Sequence, residues 1–156
     1  MRQANISNYE NLVKILFITG RHHGKDEKEV TAWKKYKLEE KITKILKEAG
    51  YEKKSQTYEY FYLTPYQIAQ KFSKKYPQDF NNIGKTLGGR GTSETGDSFP
   101  RYISLELSTR ITRGEIKDIE SAQLLQELIE EIKFSQGIIA SNIEWGYNIS
   151  MYRYKV

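Results

Sequence analysis

Four lysines recur at steps of three and four residues in the first third of the chain: Lys34, Lys37, Lys41 and Lys44. On a helix this spacing places them along one stripe, and Trp33 stands at its start. A row of ammonium groups can follow the phosphates of a nucleic acid, because each contact releases condensed counterions. An indole ring can stack on a base or a sugar. The alternative is a solvated helix face on which the lysines pair with Glu40 and Glu48.

A second group of cations lies in the glycine-rich stretch 84–97. Lys85 and Arg90 stand there among five glycines. Bare backbone N–H groups beside two cations can hold a phosphate. The alternative is a mobile surface loop without a ligand. Since structureless loops longer than about 12 residues usually have a function or are disordered, we expect a binding loop that becomes ordered on contact with a partner.

Segment 63–114 resembles part of a helix-turn-helix or winged-helix module. Residues 64–76, with the string Tyr-Gln-Ile-Ala, match a first positioning helix, and residues 99–113 match the reading helix. The resemblance implies arginines that reach guanine edges or phosphates of duplex DNA. A long glycine-rich loop stands here in place of the usual turn of about 3–4 residues.

The outer face of the reading helix carries the side chains that we expect to contact DNA. Helical spacing places four residues on this face: Tyr102, Glu106, Arg110 and Arg113. Because the face lies opposite Ile103 and Ile111, we do not expect the core to need its arginines. Arg101, in the first turn, joins the predicted contact residues. The alternative is that Glu106 neutralises Arg110 and the helix only packs against the core.

Catalytic motifs are incomplete in this sequence. Stretch 20–25 has the wrong spacing between its glycines, and no Ser or Thr after its lysine, for a nucleotide-hydrolase phosphate loop. The histidines are the adjacent His22 and His23, and there is no Cys. The string Glu115-Ile116-Lys117 resembles the end of a restriction-type nuclease motif, and carboxylates alone can hold Mg²⁺. The carboxylates that could serve such a site are Glu10, Asp26, Glu59, Asp97, Glu106 and Glu115.

The elements that must position these residues predict an α+β domain, several helices with a small antiparallel sheet. Apolar spacing and capping residues predict helices at 7–18, 27–49, 64–76, 78–83, 98–113 and 122–131. Residues 14–19 also fit a strand. Alternating patterns predict strands at 57–63, 131–134, 138–142 and 147–154, with a turn at 135–137. The segment 131–156 is therefore expected to form the C-terminal strands of one domain spanning 1–156.

Several helix ends and faces are marked clearly. Thr64 and Gln67 are placed to form a capping box around Pro65. Ser98 is a suitable cap for the reading helix, and Gly114 is suited to close it. The apolar face of the long helix, which is expected to end at Gly50, consists of Leu38, Ile42, Ile45, Leu46 and Ala49.

Charge and composition favour a folded, basic protein. The 156 residues suit one domain, and 13% aromatic residues exceed what disordered chains carry. The net charge is +5, of which residues 21–54 and 64–113 each contribute +4 and residues 114–134 contribute −4. The polar start of the chain and the absence of Cys predict a soluble, cytoplasmic protein without membrane contact.

The function that these features predict is binding of nucleic acid without catalysis and without a cofactor. We expect duplex DNA rather than RNA as the partner. One alternative is a small Mg²⁺-dependent nuclease of the restriction or homing type. Another is a protein-interaction or inhibitor module from a mobile element, whose basic surface meets an acidic or nucleic-acid-loaded partner.

Overall fold

The computed structural model describes residues 30–51, 61–90, 92, 97–143 and 146–155, with the backbone alone at 50 and 51. These residues form helices and a two-stranded antiparallel sheet, which confirms the α+β class. The helices are α1 (Ala32–Lys35), α2 (Leu38–Tyr51), α3 (Pro65–Lys75), α4 (Pro77–Ile83) and α5 (Phe99–Thr112), and the strands are β1 (Ile119–Leu124) and β2 (Ile149–Tyr154). The predictions for residues 7–25 and 57–60 lie outside the described residues, as do Glu10, Asp26, His22 and His23.

The helix predicted over 27–49 is broken at Lys37, so the prediction of one continuous element is wrong. Lys37 takes a left-handed backbone conformation with φ 50°, between the end of α1 and the start of α2. On an unbroken helix Trp33 and Leu38 would lie about 140° apart. The break turns both side chains into the core. Burial of the indole removes a large apolar area from water, and this packing favours the break.

The predicted apolar face of α2 is confirmed. All five of its residues are buried: Leu38, Ile42, Ile45, Leu46 and Ala49. The helix ends at Tyr51, one residue beyond the predicted Gly50. Its buried face packs against α3 and β2, so α2 forms one wall of the main core.

The start of α3 is the capping box that the sequence predicts. The Gln67 side-chain oxygen accepts from the N–H of Thr64 at 2.8 Å, and the Thr64 hydroxyl accepts from the N–H of Gln67 at 3.3 Å. Pro65 occupies the first turn. Pro77 ends α3, because it has no N–H to donate inside a helix, and it begins α4, where the missing donor costs nothing. The short helix predicted at 78–83 is thereby confirmed.

Helix α5 also has the predicted ends. The Ser98 hydroxyl accepts from the N–H of Arg101, and Gly114 follows with φ 71°, the left-handed conformation that closes helices. Ile103 and Leu107 are fully buried. The core-facing side of α5 is therefore fixed by packing, and this fixes which side faces solvent.

One prediction is wrong in the region of the sheet. Residues 122–131 are predicted as a helix, but β1 runs to Leu124, which pairs with Ile149 of β2. Pairing with a distant strand outweighs the local helical pattern. On the other edge of β2, Leu63 and Tyr152 exchange backbone hydrogen bonds of 2.8 and 2.9 Å.

The connection between β1 and β2 covers a second, smaller core. Its buried members are Tyr66, Ile138, Ala140, Ile143 and Ile149. The turn at Ser135–Gly137 is confirmed, but the strands predicted on either side of it reduce to one bridge between Lys133 and Ile139. Tyr66 stacks on Phe134 with ring centroids 5.1 Å apart. The connection is thus packed against the start of α3.

Candidate nucleic-acid interface

Helix α5 is enclosed on three sides. Ile103 and Leu107 pack into the core. On one flank the Tyr152 hydroxyl donates to the carbonyl oxygen of Ser104 at 3.1 Å and lies 2.8 Å from the Ser108 hydroxyl. The opposite flank faces α1. The remaining side of α5 carries most of its exposed residues.

Five residues of α5 are exposed: Arg101, Leu105, Ser108, Thr109 and Thr112. Ser108 lies 2.8 Å from the Tyr152 hydroxyl, and the other four are here called the outer stripe. They follow at steps of four, four and three residues, which keeps them within an arc of about 80°. Leu105 is 54% exposed. Exposed Arg113 follows directly after the helix. This side presents guanidinium groups, hydroxyls and methyl groups together.

The outer face predicted from the sequence is therefore displaced around the helix. Tyr102, Glu106 and Arg110, here called the Trp33 flank, are half-buried and face α1. The backbone N–H of Trp33 donates to the Tyr102 hydroxyl at 3.0 Å. Tyr102 also packs against the main core, so the face predicted to point outward includes a residue that the core uses. Burial raises the pKa of Tyr102, with the Glu106 carboxylate adding to the shift.

Trp33 brings together predicted site residues from distant parts of the chain. Its ring is 3% exposed, and the Arg110 guanidinium lies 5.0 Å from the ring centroid. The Lys85 ammonium lies 5.3 Å from the centroid of the Tyr102 ring. The predicted residues Trp33, Tyr102, Arg110 and Lys85 therefore meet in one cluster. Trp33 was predicted to stack on a base or a sugar, but it is buried and packs as a core residue.

Carboxylates neutralise the cations of this cluster. Arg110 donates to Glu106 at 2.9 and 3.0 Å and to Glu115 at 2.9 Å. Lys85 pairs with Asp97. The first of these pairs is the alternative that the sequence left open, in which Glu106 neutralises Arg110.

The lysine stripe is divided by the break before α2. Lys34 lies on α1, and Lys37, Lys41 and Lys44 lie in or next to the first turns of α2. Lys41 forms an ion pair with Asp79, whereas Lys34, Lys37 and Lys44 are exposed. On the same side of α2, Glu48 pairs with Lys75 of α3. Along the junction of α2 with α3 and α4, the lysines are therefore matched by carboxylates, and the exposed cations of the stripe are Lys34, Lys37 and Lys44.

The glycine-rich loop is partly a packing device. A Cβ on Gly88 would lie 3.0 Å from atoms of Pro100 and Ser98, and one on Gly89 would lie 2.9 Å from the Ile139 oxygen. Both glycines have positive φ, 77° and 111°. The Arg90 N–H is used by the Ile139 carbonyl at 2.9 Å. These glycines are explained by the close approach of two backbones, and the Arg90 amide is not directed at a ligand.

The nuclease alternative gains no geometric support in the described part of the chain. Glu115 pairs with Arg110 and lies 3.8 Å from Arg113, and Ile116 is buried. Among the described residues, no group of three or more His, Asp or Glu side chains is placed to hold a metal ion. The carboxylates that do cluster are engaged by arginines.

Sequence reasoning missed three residues of the outer stripe: Leu105, Thr109 and Thr112. None is charged, so a search for basic side chains passes over them. The signal that could have identified these residues was their position around the helix. Ile103 and Leu107 define the buried direction of α5, and Ser104 and Ser108 lie toward β2, which leaves the outer stripe as the open arc.

Scans against protein-family models, curated proteins and solved structures each found no match to this chain. Within the residues that the structure describes, none of the helices has the length and hydrophobicity required to cross a bilayer.

Proposed function

We propose that this protein binds duplex DNA without catalysis and that the outer stripe of α5 is the surface that enters the major groove. The observation that carries the proposal is the open side of α5, which is bounded by packing on its other three sides. It combines Arg101 with Leu105 and Thr109 on a helix that the core holds rigidly. Arginine, threonine and small apolar groups are side chains that read base edges.

The order of the elements supports the same function. A helix (α2) is followed by the short bridge at Leu63, two further helices that pack on each other (α3 and α5), and the β1–β2 pair. This order agrees with the winged-helix resemblance of segment 63–114, with α5 in the position of the reading helix. The long connection between α3 and α5 remains a departure, and α4 and the packed glycines occupy part of it.

Cations next to the outer stripe supply phosphate contacts in this proposal. The Trp33 contacts place α1 beside α5, and its neighbours Lys34 and Lys35 are exposed. Arg113 lies at the C-terminal end of α5. Lysines and arginines at the edge of a reading helix fix its position on the backbone, while base contacts give specificity. A cytoplasmic location is part of the same proposal.

A second candidate function, protein binding, is favoured by one observation. Leu125, Leu128 and Tyr147 are exposed near the start and end of the connection between β1 and β2, and Leu128 is 94% exposed. Exposed Glu127 and Glu130 lie beside Leu128 in the sequence. Exposed apolar side chains mark contact sites when they form one continuous patch.

The test is a titration of a fluorescently labelled duplex, single-stranded DNA and RNA of one sequence at several salt concentrations. We expect the duplex to bind most tightly. The double variant Arg101→Gln/Arg113→Gln should bind more weakly, through loss of the Arg101 base contact, and should flatten the log–log salt slope by about 0.9, through loss of the Arg113 phosphate contact. The matched control, Lys133→Gln/Lys155→Gln, removes the same charge from two other exposed positions. Equal binding by the two double variants would contradict the proposal.

A further inference from the structure

The outer stripe has a restricted set of recognition groups. After Arg101, the side chains that follow along the stripe offer methyl groups and hydroxyls, with no carboxylate and no amide: Leu105, Thr109 and Thr112. In the major groove, adenine is read mainly by Asn and Gln, cytosine by Asp and Glu, and guanine by Arg, whereas the C5-methyl group of thymine is read by apolar contact. The stripe therefore suits guanine at its start and a methylated pyrimidine at its centre.

We infer that Leu105 reads the C5-methyl group of a pyrimidine, thymine in ordinary DNA, in the same site as a guanine that Arg101 reads. This inference rests on the proposed function. A single exposed leucine is ordinary on a protein surface. Leu105 differs through its place within the outer stripe, one turn after Arg101 and one turn before Thr109.

The helix geometry sets the spacing of the two contacts. Four residues of α-helix rise about 6 Å, which is roughly two base-pair steps of 3.4 Å. The guanine and the methylated pyrimidine should therefore lie about two base pairs apart. The Thr109 methyl group continues the apolar contact toward the next base pair.

The size of the effect follows from apolar burial. Removing one methyl-sized group from water contributes about 0.8 kcal/mol, which corresponds to about a four-fold change in affinity. Loss of the thymine methyl at the contacted position should weaken wild-type binding by about that factor. The Leu105→Ala variant has lost its partner group, so it should bind thymine and uracil duplexes almost equally.

The experiment begins with selection of bound duplexes from a randomised 20-base-pair pool. The selected duplex is then prepared with deoxyuridine in place of thymine, one position at a time, which removes the methyl group alone. Cytosine and 5-methylcytosine at the same position form a second pair of probes. Wild type, Leu105→Ala and the control Leu128→Ala are titrated against each duplex, and thermal unfolding confirms that each variant is folded.

The outcomes separate the two levels of the proposal. We expect wild type and Leu128→Ala to prefer the methylated base about four-fold at one position, and Leu105→Ala to have no preference. If wild type binds duplex DNA but ignores the methyl group, or if Leu105→Ala keeps the preference, the inference is wrong and the proposed function stands. If wild type binds no duplex from the pool, the proposed function itself is contradicted.

Discussion

The two sides of helix α5 that lie next to each other differ in how their charges are used. On the Trp33 flank, Arg110 lies against a buried indole and donates to two carboxylates. The outer stripe lies about 100° further around the helix, and its residues Arg101 and Leu105 are exposed. The comparison shows that the role of an arginine on a helix depends on how its surroundings bury and pair it, and not on its charge alone.

The largest effect that tests this comparison is on folding. Trp33→Ala removes the ring that unites α1 with α5, and we expect it to lower the free energy of unfolding by about 3–5 kcal/mol. Leu105→Ala, on the outer stripe, should change that free energy by less than about 0.5 kcal/mol. Urea unfolding followed by circular dichroism measures both. A similar cost for the two variants would show that the Trp33 flank is not a structural contact.

The next effect concerns the glycine-rich loop. Gly89→Ala places a Cβ 2.9 Å from the Ile139 carbonyl oxygen at a φ of 111°, so the two backbones must separate. We expect a loss of about 2–3 kcal/mol. The control is Gly114→Ala, which also has positive φ but meets nothing within 4 Å and should cost about 1 kcal/mol. Thermal unfolding compares them, and equal losses would mean that the loop is free to move away from Ile139.

A third effect contrasts Arg110 with Arg113. Arg110→Ala removes two ion pairs and a cation–π contact from a side chain that is mostly buried, so we expect a stability loss of about 1–2 kcal/mol. Arg113→Ala loses only a 3.8 Å contact with Glu115 and should cost less than about 0.5 kcal/mol. Duplex binding should show the opposite order, measured on folded protein. If Arg110→Ala weakens binding more than Arg113→Ala, the reading face is the Trp33 flank.

The comparison also separates what the sequence could predict from what it could not. The caps at Thr64 and Ser98 and the apolar face of α2 depend on neighbours within a few residues, and these predictions are confirmed. The break at Lys37 and the strand at 122–124 depend on contacts with residues far along the chain, and both were missed.

For the candidate site, the sequence predicted some of the residues that come together but not where they lie on α5. Three predicted residues, Tyr102, Arg110 and Lys85, do meet in one cluster with Trp33, although the four positions span almost eighty residues of sequence. Tyr102 and Arg110 were predicted on an outer face but are half-buried, because the position of α1 against α5 is tertiary information. The outer stripe itself contains two threonines and a leucine, which no charge-based pattern selects.

The smallest effect concerns three lysines at the start of α2 and just before it: Lys37, Lys41 and Lys44. Lys37 and Lys44 are exposed, so the double variant Lys37→Gln/Lys44→Gln should flatten the salt slope of duplex binding by about 1.8 if both contact phosphates. Lys41→Gln is the contrast, since Lys41 is already paired with Asp79 and should change the slope least. An unchanged slope in the double variant would assign the lysines to solvent and leave the outer stripe and α1 as the contact surface.

The most direct test of the central claim is one pair of binding titrations, with Leu105→Glu and Leu128→Glu against the same labelled duplex. Each substitution puts a carboxylate at an exposed leucine, so each should keep the unfolding free energy within about 0.5 kcal/mol of wild type. We predict that Leu105→Glu weakens binding at least about ten-fold, because its charge meets the DNA phosphates, and that Leu128→Glu binds like wild type. Wild-type affinity in Leu105→Glu would contradict the account.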